Sequence, residues 1–278
     1  VSKKRSESRE HAAHHVFNHS MENTMRALAN KIAIVTGASS GIGRAAAKLF
    51  AEEGAKLIVA ARRKEELDKL VAEIAASGGE AIACAGDVKD EDLQRQLAET
   101  AQRAFGGLDI AFNNAGTLGE MGPTPQISLA GWRDALDTNL TSAFLAAKYQ
   151  VPLMLDRGGG SLIFTSTFVG YTAGMPGVAS YAAGKAGLIG LTQALAVEFG
   201  PRNLRVNALL PGGTDTPMGK AMIGTPEGRR FVEGMHALKR IATPEEIAQS
   251  VLYLASDAAS FTTGTAMLVD GGVSINRT

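Results

Sequence analysis

The sequence predicts an α/β protein: a doubly wound parallel β-sheet with helices on both faces, folded as a single domain. Three observations predict it. Short apolar runs recur from Lys31 onward, each followed by a segment of helical periodicity. Most of these runs are nearly continuous in apolar residues rather than alternating, as strands buried on both faces require. The 32 glycines cluster at the ends of such runs, where backbone must turn or approach something closely.

In chain order, Ile32-Ala33-Ile34-Val35-Thr36 is the first strand and ends at Gly37. A helix pattern runs from Ile42 to Glu53 and stops at Gly54, a residue suited to a left-handed C-terminus. Lys56 to Ala61 is the second strand, and Lys64 to Ala76 an amphipathic helix ended by Gly78-Gly79. Glu80 to Ala85 is the third strand, and Glu91 to Phe105 a helix closed by Gly106-Gly107. Leu108 to Phe112, Ser161 to Thr165 and Leu204 to Leu210 read as further strands with helical pattern between them. Ala266 to Val269 is the last, short one. Such alternation builds a parallel sheet. No polar or proline-rich linker interrupts residues 28–278, which are read as one domain.

Residues 1–27 differ. They are polar and mixed in charge and hold four of the five histidines, His11, His14, His15 and His19. A secretory signal needs an apolar core of roughly 7 to 15 residues, which is missing, and Glu7, Glu10 and Glu22 argue against a mitochondrial presequence. The histidines follow no tight ligand spacing, so no metal site is expected. The segment is read as a disordered or added extension, with the natural start at Met21 or Met25.

Composition narrows the function. With 28 basic and 28 acidic residues the formal charge is zero, which gives no support for a nucleic-acid or anionic-membrane partner. No apolar stretch approaches the roughly 18 residues that span a bilayer, so a soluble protein is expected. The single cysteine, Cys84, excludes an intrachain disulfide and points to a reducing, cytoplasmic compartment. Its apolar surroundings, Ala81 to Ala85, suit a packed core thiol rather than a nucleophile.

Between the first strand and the first helix lies Thr36-Gly37-Ala38-Ser39-Ser40-Gly41-Ile42-Gly43. Glycines there let the backbone approach a pyrophosphate, whose charge the helix N-terminus favours. Gly37, Ser39, Ser40, Gly41, Ile42 and Gly43 are therefore candidate dinucleotide contacts. About 20 residues on, where an NAD site usually carries Asp or Glu, this chain has Arg62-Arg63. A guanidinium can pair with the 2′-phosphate of NADP. NADP(H) is expected ahead of NAD(H).

Tyr181-Ala182-Ala183-Gly184-Lys185 places two functional side chains four residues apart on one helical face. A free phenol titrates at roughly 10 and is a poor acid or base at neutral pH. A neighbouring ammonium is expected to lower that value and fit Tyr181 for proton transfer to and from a carbonyl oxygen.

Together these features resemble the short-chain dehydrogenase/reductase family from about Ala29 to Gly272. The glycine loop has that family's Gly-x-x-x-Gly-x-Gly form, Asn113-Asn114-Ala115-Gly116 its Asn-Asn-Ala-Gly motif, and Tyr181 with Lys185 its Tyr-x-x-x-Lys pair. The resemblance implies a Rossmann fold and hydride transfer between the cofactor and a small carbonyl or alcohol substrate, in a carbonyl reductase or alcohol dehydrogenase. It also implies a homotetramer or homodimer. By resemblance, Asp87 and Val88 bind the adenine side, Asn113, Asn114, Ala115 and Gly116 flank the cofactor, and Pro211, Gly212 and Thr214 hold the nicotinamide carboxamide.

The resemblance also implies a catalytic tetrad of Asn139, a hydroxyl, Tyr181 and Lys185, with Asn139 holding water in a proton relay to the lysine. The family usually shows Ser-Ser before the tyrosine; this chain has Thr165-Ser166-Thr167. Counting from Gly160 and back from Gly170 favours Thr167, residue identity favours Ser166, and both stand as candidates. Residues 214–240, with Met218, Met222, Ile223, Phe231 and Met235, resemble the family's variable substrate lid. A 3-oxoacyl-carrier-protein reductase is the alternative enzyme. A non-catalytic dinucleotide sensor is the alternative from another class, and the intact Tyr181 and Lys185 argue against it.

Overall fold

A computed structural model describes residues 26–277; the reading of the leader falls almost wholly outside them. Seven strands form one sheet: β1 (Ile32–Thr36), β2 (Lys56–Ala61), β3 (Glu80–Ala85), β4 (Ile110–Asn113), β5 (Gly160–Thr165), β6 (Leu204–Pro211) and β7 (Ala266–Val269). Their order is β3-β2-β1-β4-β5-β6-β7, and every pairing is parallel. The helices are α1 (Gly41–Glu52), α2 (Lys64–Ala76), α3 (Glu91–Phe105), α4 (Leu129–Leu136), α5 (Ser142–Asp156), α6 (Ala179–Phe199), α7 (Pro217–Ile223), α8 (Pro226–Met235) and α9 (Pro244–Ala255).

Strand side chains alternate between the two faces, and the core divides accordingly. Ala33, Val35, Leu57, Val59 and Phe112 pack with Phe50 of α1, Leu67 and Leu70 of α2, and Val251 of α9. Ile32, Ile34, Ile58, Ala111 and Phe164 pack on the other face with Leu97 of α3, Val151 of α5 and Leu188 of α6. Burial on both faces explains why β1 reads as an unbroken apolar run. Cys84 lies in the second cluster, and burial pushes its thiol pKa up, as an inert core position requires.

The fourth strand begins two residues later than its apolar run. Asp109 stands before it, and its carboxylate accepts from the Ile32 amide at 2.8 Å while its carbonyl accepts from Ser161 at 2.9 Å. Between α4 and α5 the chain makes one π-helical turn, Asp137–Thr141, so Leu129 to Asp156 is continuous helical backbone. From β1 the sheet grows outward to β3, then resumes on the opposite side of β1 with β4. The crevice at the carboxyl ends of β1 and β4 is therefore a topological switch point, the usual ligand site of such sheets.

Candidate active site

At that crevice the loop between β1 and α1 is held by glycines. Gly37 has φ +67°, and a Cβ there would fall 2.8 Å from Asn114 Nδ2 and 3.0 Å from the Ala115 backbone. Gly43 packs inward, where a Cβ would lie 2.5 Å from the Gly37 carbonyl oxygen, so its place is loop support rather than cavity wall. Gly41 has φ +53° and faces Thr216. Ser40 caps α1 with no side-chain hydrogen bond, and the first turn carries no acid. The positive end of the helix dipole is thus left uncompensated by protein, as an anion site needs.

Above the loop, Arg62 and Arg63 are exposed at the end of β2 and line the same cavity of about 670 Å³ as Gly37, Ser39, Ser40 and Ile42. Arg63 donates from Nη2 to Ser39 Oγ at 3.0 Å, which ties it to the loop. Lys89 joins this rim and pairs with Asp134 at 2.6 Å and Asp87 at 3.7 Å. Asp87 and Val88 both line the cavity, and Asp87 Oδ1 accepts from the Lys89 amide. The bare helix terminus, the glycine cradle and the basic rim together fit a phosphorylated dinucleotide.

The Asn-Asn-Ala-Gly motif divides its labour. Asn113 turns away from the large cavity, and its amide is paired both ways with Gln150, at 2.8 and 3.1 Å, in the buried interior. Asn114 and Ala115 donate their backbone amides to Thr36 Oγ1 at 3.0 and 3.2 Å, clamping β4 to β1. Asn114 Nδ2 also donates to the Thr36 carbonyl, and its Oδ1 accepts from Thr165. A Cβ on Gly116 would lie 3.0 Å from Lys185 Nζ and 2.9 Å from Asn139 Oδ1. Asn139, 2% exposed in the π-helical turn, has its side chain committed to Thr117, accepting from the amide at 3.0 Å and donating to the carbonyl at 2.8 Å.

Tyr181 and Lys185 sit in α6 beneath the carboxyl ends of β4 and β5 and line the cavity. Burial pushes the Tyr181 phenol above its ordinary value, and a hydrogen bond with Thr167 works in the opposite direction. The expected lowering by Lys185 is not what this geometry gives. The ammonium points to the Thr165 carbonyl at 2.6 Å, and burial lowers its own pKa to about 8. Ser166 and Thr167 both border the cavity, yet their hydroxyls diverge. Ser166 donates to the Lys185 backbone carbonyl at 2.7 Å, whereas Thr167 meets the phenol.

Beyond Tyr181 the wall becomes apolar. Phe168, Val169, Met175, Met222, Phe231 and Met235 line it, and the charged lining groups other than Lys185 lie at the loop end. Pro211 and Gly212 close β6; a Cβ on Gly212 would collide with Asp270 at 2.7 Å. Thr214 is buried and donates to the Gly212 carbonyl at 3.0 Å. The following α7 and α8 pack over the cavity and are tied to Asp215 by Lys220 at 3.1 Å and Arg229 at 3.5 Å.

His236, at the end of α8, is missing from the sequence-based candidates. It is 2% exposed; Nε2 accepts from the Gly213 amide at 2.9 Å while Nδ1 lies 2.7 Å from the Val232 carbonyl. The Nδ1-protonated tautomer satisfies both contacts, latching α8 to the loop after β6. One lone histidine among apolar residues gives no sequence signal for that role. Among the described residues no cluster of metal-ligating side chains occurs, and no helix is long and apolar enough to cross a membrane.

A family model described as enoyl-(acyl carrier protein) reductase matches residues 37–274. The chain is 40% identical over 242 residues to cyclohexanol dehydrogenase of Acinetobacter sp. (strain SE19), covering 87% of this chain and 94% of that one. A solved short-chain type dehydrogenase/reductase from Mycobacterium marinum superposes with a TM-score of 0.85 at 36% identity, over 90% of this chain and 97% of its own. A Beutenbergia cavernae structure, described as an NAD(P)-dependent gluconate 5-dehydrogenase with NADP bound at low occupancy, gives 0.83 at 35% identity, over 89% and 98%. With the matched model, these relatives and the parallel sheet in agreement, the chain belongs to the short-chain dehydrogenase/reductase family of oxidoreductases.

Proposed function

We propose that this chain is an NADP(H)-dependent oxidoreductase that interconverts a small, uncharged secondary alcohol and its ketone. The observation that carries the chemistry is that Thr167 stands with the Tyr181 phenol on the cavity wall, at the junction of its basic and apolar halves. Tyr181 supplies the proton to the carbonyl oxygen, or takes it from the alcohol, at its phenolic oxygen. Thr167 orients that oxygen and favours its ionised form. Lys185 holds a buried positive charge beside the tyrosine, and Asn139 braces the turn at Thr117 against Gly116. Gly37, Ser39, Ser40, Gly41, Ile42, Asp87, Val88, Asn114 to Gly116, Gly212 and Thr214 hold the cofactor, which when bound supplies or accepts the hydride.

The preference for NADP(H) rests on Arg62 and Arg63, with the NADP of the Beutenbergia relative in support. The substrate class rests on the apolar wall from Phe168 to Met235, which offers a carboxylate or phosphate no cation; the name of the cyclohexanol dehydrogenase relative fits it. A carrier-protein reductase reading is less well supported. It calls for a free basic surface by the lid, and there Lys220, Arg229, Arg230 and Arg240 are each paired with an acid.

The remaining parts of the reading are the lid over residues 214–240, a homotetramer and a cytoplasmic location. Exposed Phe144 and Val197 on α5 and α6 and Phe261 and Ile275 near the end of the chain supply apolar surface for subunit contacts. The decisive experiment couples NADPH oxidation across cyclic ketones, sugars, keto esters and acyl thioesters with the Tyr181→Phe variant. Turnover should favour cyclic ketones and fall by about a hundredfold or more in Tyr181→Phe, with NADPH binding nearly unchanged. Near wild-type turnover in that variant overturns the mechanism.

A further inference from the structure

Lys185 lines two cavities. Besides the large one it borders a small cavity of about 10 Å³, room for a single water-sized sphere. Most of the polar wall of this small cavity is already spent. Asn113 is paired with Gln150, Asn139 with Thr117, and Ser142 donates to the Thr138 carbonyl. Thr36 Oγ1 accepts from two backbone amides.

Two groups stand out by the capacity they leave unused. The Lys185 ammonium carries three protons, one of which goes to the Thr165 carbonyl. The other group is Gln94 of α3, 1% exposed. Its Nε2 donates to the Val88 carbonyl at 2.8 Å, and that contact fixes which way the amide faces. Its Oε1 is buried with no partner among the described residues. Buried polar atoms are nearly always paired, and an orphan acceptor on a water-sized polar cavity marks the place of an internal water.

We propose that this cavity is a built water site, in which one water donates to Gln94 Oε1 and accepts from the Lys185 ammonium, making Gln94 a positioning residue for Lys185. The role in turnover rests on the reading of Lys185 given above; the water site itself does not. The family resemblance gives the water to Asn139, whose side chain is paired with Thr117 here, whereas Gln94 Oε1 on α3 is a buried acceptor with no partner among the described residues. Gln94 also links the two halves of the site, since Val88, which its amide nitrogen holds, borders both cavities. Lys185 is the only ionisable side chain on the small cavity, and Tyr181 is the titratable group of the large one nearest the reaction.

Three measurements test this. A high-resolution crystal structure should show one water within hydrogen-bonding distance of both Gln94 Oε1 and Lys185 Nζ; a dry cavity overturns the proposal. Gln94→Met keeps the volume and removes the acceptor. It should lower kcat about tenfold, the equivalent of one hydrogen bond to a charged group. Its alkaline limb in the pH profile should move to lower pH, because the ammonium loses solvation. Gln94→Glu keeps an acceptor oxygen, so kcat should largely recover and the alkaline limb move to higher pH. Both variants lose the bond to Val88. Equal losses of kcat in the two, with a raised KM for cofactor, would make Gln94 a purely structural brace and sink the idea. Tyr181→Phe is the control for the parent reading: turnover retained there refutes the mechanism and leaves the water question to the crystal structure.

Discussion

The Thr167 hydroxyl stands beside the phenol of Tyr181 and works to lower its pKa. Burial raises the pKa of that phenol, and Thr167 is the one group among the described residues that opposes it, so Thr167 bears directly on how readily Tyr181 moves a proton. Ser166, one residue earlier, spends its hydroxyl on the backbone of α6. Thr167→Val keeps the shape and deletes the hydroxyl, and should lower kcat by about a hundredfold, as losing one preorganised donor does elsewhere. Ser166→Ala should keep most of its turnover, because its carbonyl partner lies within a continuing helix. Steady-state rates of the two variants decide the matter, and a larger loss in Ser166→Ala reverses the assignment.

Lys185 gives a stability prediction with the opposite sign to its effect on turnover. It is 4% exposed, and burial lowers its pKa from 10.5 to about 8. A depressed lysine binds fewer protons folded than unfolded, so its burial destabilises the fold below the folded pKa. That cost is relieved as pH rises from about 8 towards 10.5. Lys185→Met should therefore lose turnover yet melt at or above the wild-type temperature at neutral pH. The margin should shrink as pH climbs through this window. Melting curves of both proteins across it provide the check; a margin that grows with pH contradicts the assignment of the shift to burial.

His236 offers a way to separate the packing of α8 over the cavity from the chemistry. His236→Phe fills similar space but leaves the Gly213 amide and the Val232 carbonyl without their partner. Each unsatisfied buried group costs about 1–3 kcal/mol, and the loss falls on the packing of α8 over the cavity. The expected result is a KM for the carbonyl substrate raised several-fold with a smaller change in kcat. A fall in kcat at constant KM would place His236 in the chemical step instead.

Much of this site is legible in the sequence where one local feature forces one structure. The glycine loop, the β2 end at Arg62 and the Tyr181–Lys185 spacing all follow from strand burial and helical period, and α2 and α3 begin and end where their patterns do. What escapes the sequence depends on contacts between distant segments. Asn113 reads like Asn114 until Gln150, 37 residues later, claims its amide. Gln94 reads as one more polar residue on an amphipathic helix, since nothing local says that its face is inward. The stretch from Leu129 to Asp156 has no clean period because the π-helical turn shifts the helical phase and Pro152 lies inside α5. Helices α7 and α8 were within reach: Thr216-Pro217 and Thr225-Pro226 each pair an N-cap threonine with proline at the first helical position, as does Thr243-Pro244 at α9.

The two arginines at the end of β2 make the last prediction, because the structure gives them different work. Arg63 donates to Ser39 Oγ at 3.0 Å and holds the loop that approaches the pyrophosphate. Arg62 makes no ion pair or hydrogen bond among the described residues, so its guanidinium is available to an incoming anion at the cavity rim. A charge-assisted contact to a 2′-phosphate is worth roughly 1.5 to 3 kcal/mol, about ten- to a hundredfold in affinity. Arg62→Ala should therefore weaken NADPH by about that factor and leave NADH, which lacks the phosphate, nearly unchanged. Arg62→Asp should go further and turn the preference towards NADH, since a carboxylate repels the phosphate and accepts from ribose hydroxyls. Arg63→Ala should weaken both cofactors together, because it releases Ser39 from its partner whichever dinucleotide binds. Fluorescence titration of the three variants with both cofactors separates these outcomes. A wild-type chain that already prefers NADH, or an Arg62→Ala variant that weakens both cofactors equally, would remove Arg62 from the specificity site.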